Sequence, residues 1–246
     1  MKHILTTIGL TLIFLINANA TTWFPEDKEC PLCHKKNTYY LIGSYGSYIY
    51  QWPEKYQYFF WPLTDTQCLY TCLDCKFSAF MWDFDDLPGN KYDTLNSYLS
   101  TIKFEQKYKS YTDIPMPLKL EIAENIYKIL WRDQEFWCRF YRVMGYHYDL
   151  VQNKTKALEA RKSALNIAKE MLVDPVLEGQ QKETLFIMAA MHNFTGQKDS
   201  ALYYLDESSK YTYTNSAMEE ENVKGLDEYI TELIGLYKNY IQTGKE

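Results

Sequence analysis

A chain of 246 residues, 46% hydrophobic and 24% charged, is long enough for one large or two small folded units. Ten glycines are few for a glycine-rich phosphate loop or a dinucleotide fold. A net charge of -6 without clustered Lys and Arg argues against nucleic acid, whose phosphates need concentrated positive charge.

Residues 1–20 have the composition of a signal peptide. Lys2 and His3 open it, Ile4 to Ile16 form an apolar run, and Ala18-Asn19-Ala20 supplies a small-x-small cleavage pattern. The run is too short to span a bilayer, and no later segment replaces it. The expectation is an exported protein, periplasmic or secreted, beginning near Thr21 and without a stable membrane span after cleavage.

The segment from Cys30 to Cys75 opens with Cys30-Pro31-Leu32-Cys33 and closes with Cys72-Leu73-Asp74-Cys75. A Cys-x-x-Cys turn sets two sulfurs on one side of a tight knuckle. Two knuckles complete a tetrahedral four-thiolate site, so Cys30, Cys33, Cys72 and Cys75 are the expected ligands of a structural Zn2+. Export pulls the other way, because oxidising compartments favour disulfides. A thiol-redox or metal-handling role for the same pairs is the competing reading. Cys68, four residues before Cys72, is either a further ligand or a buried thiol.

Between the knuckles, Tyr48, Tyr50 and Trp52 alternate, as do Tyr56, Tyr58 and Phe60, around Pro53-Glu54-Lys55. This pattern predicts an aromatic β-hairpin, either core cover for a small metal-stapled head or a platform for a sugar or peptide. Asp83, Asp85 and Asp86 lack the glycine and distal Glu of a calcium loop and fit a solvated helix entrance. Leu87-Pro88-Gly89-Asn90 breaks the chain. The expected organisation is a signal peptide at 1–20, a β-rich zinc-ribbon-like head at 21–90 and a helical body at 91–246.

Helical periodicity predicts helices over 92–108, from Leu118 past Ile129, over 134–151, 154–172, 178–194, 198–211 and 222–242. Two of the pairs have a tetratricopeptide-like pattern: Gly145 and Tyr148 followed by Ala157 and Ala164, then Ala189, His192, Gly196, Ala201 and Ser208. Small residues at these places let two helices approach closely. The fold class expected is mainly α, with tetratricopeptide-like helical hairpins and a small β-rich N-terminal subdomain.

A Cys-Pro-x-Cys knuckle, a strand-rich spacer, Tyr70-Thr71-Cys72-Leu73-Asp74-Cys75, and the run from Phe136 to Arg142 through Gly145-Tyr146-His147-Tyr148 together resemble one bacterial family. It is known as domain of unknown function 2225. The resemblance covers Cys30 to about Ser208 and implies a zinc-binding head on a helical-repeat body, with no reaction attached. The family's knuckles typically have Gly directly after the second Cys, supplying a positive φ. Here His34 and Lys76 stand there, at a cost of roughly 1 kcal/mol each, and His34 becomes a spare candidate ligand.

Elsewhere the sequence has no nucleophile elbow, metalloprotease helix or phosphate loop. Cys138 and His147, nine residues apart on one helix, are too far apart to pair directly. Arg139 and Arg142 share a helix face with Arg132 one to two turns earlier, and Arg161 is on the next helix. On the groove of a repeat fold such arginines grip carboxylates. Arg139, Arg142, Tyr148 and His192 are therefore the candidate partner-binding residues. The reading that results is a non-enzymatic module that binds a protein or peptide, with carbohydrate binding by the aromatic hairpin as a further possibility.

Overall fold

The structure, a computed structural model, describes residues 22–44, 57–59 and 61–244. The expected signal peptide and most of the expected aromatic hairpin lie outside them.

Two short antiparallel hairpins form the head. β1 (Thr22–Glu29) pairs with β2 (Lys36–Ser44), with Glu29 opposite Lys36. β3 (Leu69–Thr71) pairs with β4 (Ser78–Phe80), with Leu69 opposite Phe80. Each hairpin turns through one Cys-x-x-Cys segment. β1 holds Pro25 and stays largely exposed, as suits an edge strand that cannot donate at every position. On β2, Asn37 and Tyr39 point inward, two residues apart on one face of the pleat. The Tyr39 ring stacks on Tyr70 at 4.6 Å and leans on Phe84 and Tyr111 at 5.0 and 5.2 Å. This aromatic cluster is the centre of the head.

The rest of the described chain is built on seven helices. They are α1 (Tyr92–Ser100), α2 (Met116–Leu130), α3 (Gln134–Leu150), α4 (Lys154–Met171), α5 (Gln181–Phe194), α6 (Lys198–Ser208) and α7 (Glu220–Thr243). Asp133 caps α3 by accepting from the Phe136 amide at 2.7 Å, and Asn153 caps α4 by accepting from that of Lys156 at 3.2 Å. α3 and α4 form one helical hairpin, α5 and α6 a second. At Gly145 an added Cβ would sit 2.9 Å from the Cγ of Arg161, so a larger residue would push the Arg161 side chain aside where α4 packs. In the second hairpin Gly196 turns the chain at φ 82°, while Ala189 and Ala201 are fully buried. The buried Ser208 hydroxyl donates to the Lys182 carbonyl at 2.7 Å.

Three helix ends differ from the periodicity. α1 stops at Ser100 instead of running to 108, because the Ser100 and Thr101 hydroxyls donate to the carbonyls of Ser97 and Tyr98 and divert the last turn. α5 begins at Gln181, since Gly179 at φ 97° separates it from a 3-10 turn at Pro175–Leu177. α6 ends at Ser208, where the Ser209 hydroxyl donates to Asp206.

Two apolar cores result. The first runs from Cys30 through Phe84, α1 and α2 to Ala160 on α4, crossing the chain break at 87–90 without interruption. The second joins α4 to α7 and includes Ile230, Leu233 and Tyr237. Three polar side chains, from Tyr111 and from α2, bind the two halves of the first core together. Lys119 of α2 donates to the carbonyls of Thr66 and Leu69, at 2.6 and 3.0 Å. The Tyr127 hydroxyl accepts from the Phe80 amide and donates to Asp83, both at 2.8 Å. The Tyr111 hydroxyl accepts from the Tyr40 amide and donates to the Gln67 carbonyl, both at 3.1 Å. No helix among the described residues is long and apolar enough to cross a membrane.

Candidate metal centre

The two Cys-x-x-Cys turns share one backbone plan. In the first, the Cys30 amide donates to the Lys35 carbonyl and the His34 amide to the Cys30 carbonyl, both at 2.9 Å. In the second, the Cys72 amide donates to the Phe77 carbonyl and the Lys76 amide to the Cys72 carbonyl, again at 2.9 Å. His34 and Lys76 take φ of 60° and 66°. Both therefore adopt the left-handed conformation expected after the second cysteine of each knuckle.

The turns face each other and bring the four Sγ atoms within 4.8 Å of one another. Two contacts, Cys30 to Cys75 and Cys33 to Cys72, are 3.6 Å each. A tetrahedral ion with bonds of about 2.3 Å to sulfur separates its ligands by roughly 3.8 Å. The four thiols fit a metal ion by number, softness and spacing. Cys30 and Cys72 are fully buried, while Cys33 and Cys75 are half-buried. The neighbouring Cys30 and Cys75 thiols, with the amides of Cys75 and Asp74, hold the Cys72 thiol well below its ordinary range. Cys72 in turn pushes Cys30 upward, and Cys30 and Cys72 push Cys75 upward.

Asn37 completes the surroundings of the centre, and no spacing rule pointed to it. Its side-chain N–H donates to Cys72 Sγ at 3.6 Å and to Asp74 at 3.3 Å, while its Oδ1 accepts from the Leu73 amide at 2.9 Å. The first hairpin thereby holds the second knuckle from across the site. Asn37 shares the inward face of β2 with the fully buried Tyr39, two positions on.

The other candidates lie apart. Cys68 is fully buried outside the four-sulfur group, and burial raises its thiol to about 12. His34 is exposed, and its Nδ1 lies 2.8 Å from Glu29, so it faces solvent rather than the sulfurs. Cys138 is buried against the Ala164 carbonyl at 3.6 Å.

A second feature is a cleft of about 910 Å³ between residues 58–59 and 61–63, Trp82 and the helical body. Its lining includes Trp61, Trp82, Trp131, Arg139, Arg142 and Glu183. Arg139 is exposed, whereas Arg142 is buried and donates to the carbonyls of Cys138, Gln57 and Tyr58. Burial raises the Glu183 carboxyl above its ordinary range, although Arg142 and Tyr58 beside it pull the other way.

Of the four candidate partner-binding residues, only Arg139 and Arg142 come together at this cleft. Tyr148 is buried, donates to Glu121 at 2.6 Å and lies under the Lys156 ammonium. His192 is buried in the second helical hairpin, stacked on Tyr204 at 5.0 Å with Nδ1 3.0 Å from Gln197. Both pack helices, since their positions point into seams. Arg132 lies over the rings of Tyr127 and Phe136, and buried Arg161 pairs with Asp149 over Phe194. Comparison of the chain with protein-family models, with curated proteins and with solved structures finds no match.

Proposed function

We propose that this chain is an exported, non-enzymatic interaction module in which zinc staples the head and the helical body captures a peptide or protein. The metal half rests on the two matching knuckles that place four sulfurs within 4.8 Å. Four thiolates leave no coordination position open, which suits a structural zinc ion rather than a reacting one. Arg142 fixes the segment 57–58 against α3, and exposed Arg139 stands beside it in a cleft whose size is that of a ligand site. An arginine so placed can grip a carboxylate with two parallel hydrogen bonds. The repeat reading is supported by the two helical hairpins with small residues at their seams, and export by the composition of residues 1–20.

The test is capture of partner proteins from the exporting compartment by tagged mature protein and by Arg139→Glu, a surface change that leaves the cores untouched. The variant is expected to lose at least about tenfold of the specifically captured material, because reversing an interfacial charge costs more than about 1.4 kcal/mol. Equal capture by the two proteins would sink the cleft as the binding site.

A second reading, thiol redox chemistry at the same cysteines, draws support from the half-buried Cys33 and Cys75, which leave sulfur within reach of a small reagent.

A further inference from the structure

The geometry points to a second, metal-free way of closing the head: disulfides that cross between the knuckles, Cys30 with Cys75 and Cys33 with Cys72. This rests on the four-cysteine centre described above and concerns its fate under oxidation. Each Cys-x-x-Cys turn looks like a ready-made redox pair. However, both sulfur contacts of hydrogen-bond length, at 3.6 Å, run across the site and neither lies within a turn. The two contacts share no residue, so both bonds can form in one molecule.

Burial assigns an order to the steps. Each crossing pair joins one half-buried sulfur to one fully buried sulfur: Cys33 to Cys72 and Cys75 to Cys30. A small disulfide such as oxidised glutathione reaches the outer sulfur first. The Cys33 thiolate attacks one glutathione sulfur, forming a mixed disulfide and expelling the other glutathione as thiolate. The Cys72 thiolate then attacks the Cys33 sulfur and expels the second glutathione. Two electrons pass from the protein to the reagent, and the two protons lost by the protein thiols end on the two released glutathiones. Cys75 and Cys30 take the same course.

The consequence is structural. A bond within a knuckle closes a loop of a few residues, whereas the crossing bonds join residues 45 and 39 positions apart. Long closures restrict the unfolded chain more, so crossing disulfides replace the metal as a staple between the two hairpins. An exported chain would thus keep its head closed in either state.

The experiment uses the purified mature protein, assayed for zinc, then treated with chelator and oxidised glutathione, alkylated and digested with trypsin. Cleavage after Lys28, Lys35, Lys55 and Lys76 separates a 29–35 peptide from a 56–76 peptide. Crossing disulfides leave these two peptides joined, with fragmentation placing Cys30 on Cys75 and Cys33 on Cys72. Separate peptides, each oxidised internally, overturn the inference, and so does a protein whose four thiols stay reduced. In a variant arm, the Cys30→Ser/Cys75→Ser protein, which keeps the 3.6 Å pair of Cys33 and Cys72, is expected to form its crosslink faster than Cys30→Ser/Cys72→Ser. The wild-type map stands whether or not these variants fold. Zinc binding with internal disulfides would remove the inference alone. Crossing disulfides in a protein that binds no zinc would remove the zinc reading alone.

Discussion

At the scale of single residues, Asn37 joins the two halves of the centre. Its amide meets Cys72 Sγ, Asp74 and the Leu73 amide at once, so Asn37→Ala withdraws one N–H···S donor and leaves the Leu73 amide without its acceptor. Groups that orient metal ligands are typically worth about 10- to 100-fold in metal affinity. Asn37→Ala should therefore bind zinc about 10- to 100-fold more weakly in competition with a chromophoric chelator, and an unchanged affinity would contradict the role given to Asn37. The cysteines themselves were legible because Cys-x-x-Cys spacing fixes where two sulfurs go. The positive φ of His34 and Lys76 was expected through the family resemblance, whose knuckles have Gly at those places. Asn37 was not, since nothing in its neighbours says which strand face meets the second knuckle. Arg142 shows the same limit: helical spacing put it on a helix, but it is buried against Gln57, 85 positions away in the chain.

Among the elements, α3 has the clearest consequence for solution behaviour. Its His147 is buried and donates from Nε2 to the Leu63 carbonyl at 3.0 Å. Burial, helped by the nearby Lys119 ammonium and opposed by the Leu63 bond, holds the imidazole down to about 4 from its ordinary 6.5. Between these values the unfolded chain takes a proton that the folded chain refuses. The contribution is therefore complete above about pH 6.5 and is lost as pH falls toward 4, by at most on the order of 3 kcal/mol. His147→Gln should flatten the fall of urea-measured stability between about pH 6.5 and 4 relative to wild type, and parallel profiles would argue against a buried neutral His147. The helices were legible because apolar periodicity and the capping residues Asp133 and Asn153 are local signals. Their ends were less so, since hydroxyls near Ser100 and Ser209 compete with the helical ladder. The β1–β2 hairpin escaped notice because β1 is largely exposed and shows no alternation.

For the whole molecule, head and body share one core rather than meeting at the Pro88-Gly89 break. The link is long-range. Lys119 reaches the carbonyls of Thr66 and Leu69 just ahead of the second knuckle, and Tyr127 holds Phe80 and Asp83 just beyond it. Burial lowers the Lys119 ammonium to about 8, yet its two carbonyl partners and the Tyr111 ring, 5.1 Å away, give it a fixed place. Such contacts leave no trace in local composition, which is why chain punctuation suggested a boundary where the core has none. Because the core is shared, opening the four-cysteine centre should loosen α1 and α2 as well as the hairpins.

Metal content paired with thermal unfolding of the purified protein tests this most directly. The account predicts about one zinc per chain, and a melting temperature that falls when a chelator removes it under reducing conditions, with helical signal lost in the same transition. A protein that holds no zinc, or whose helices melt unchanged after its zinc is stripped, would contradict a metal-stapled head built into the core of the helical body.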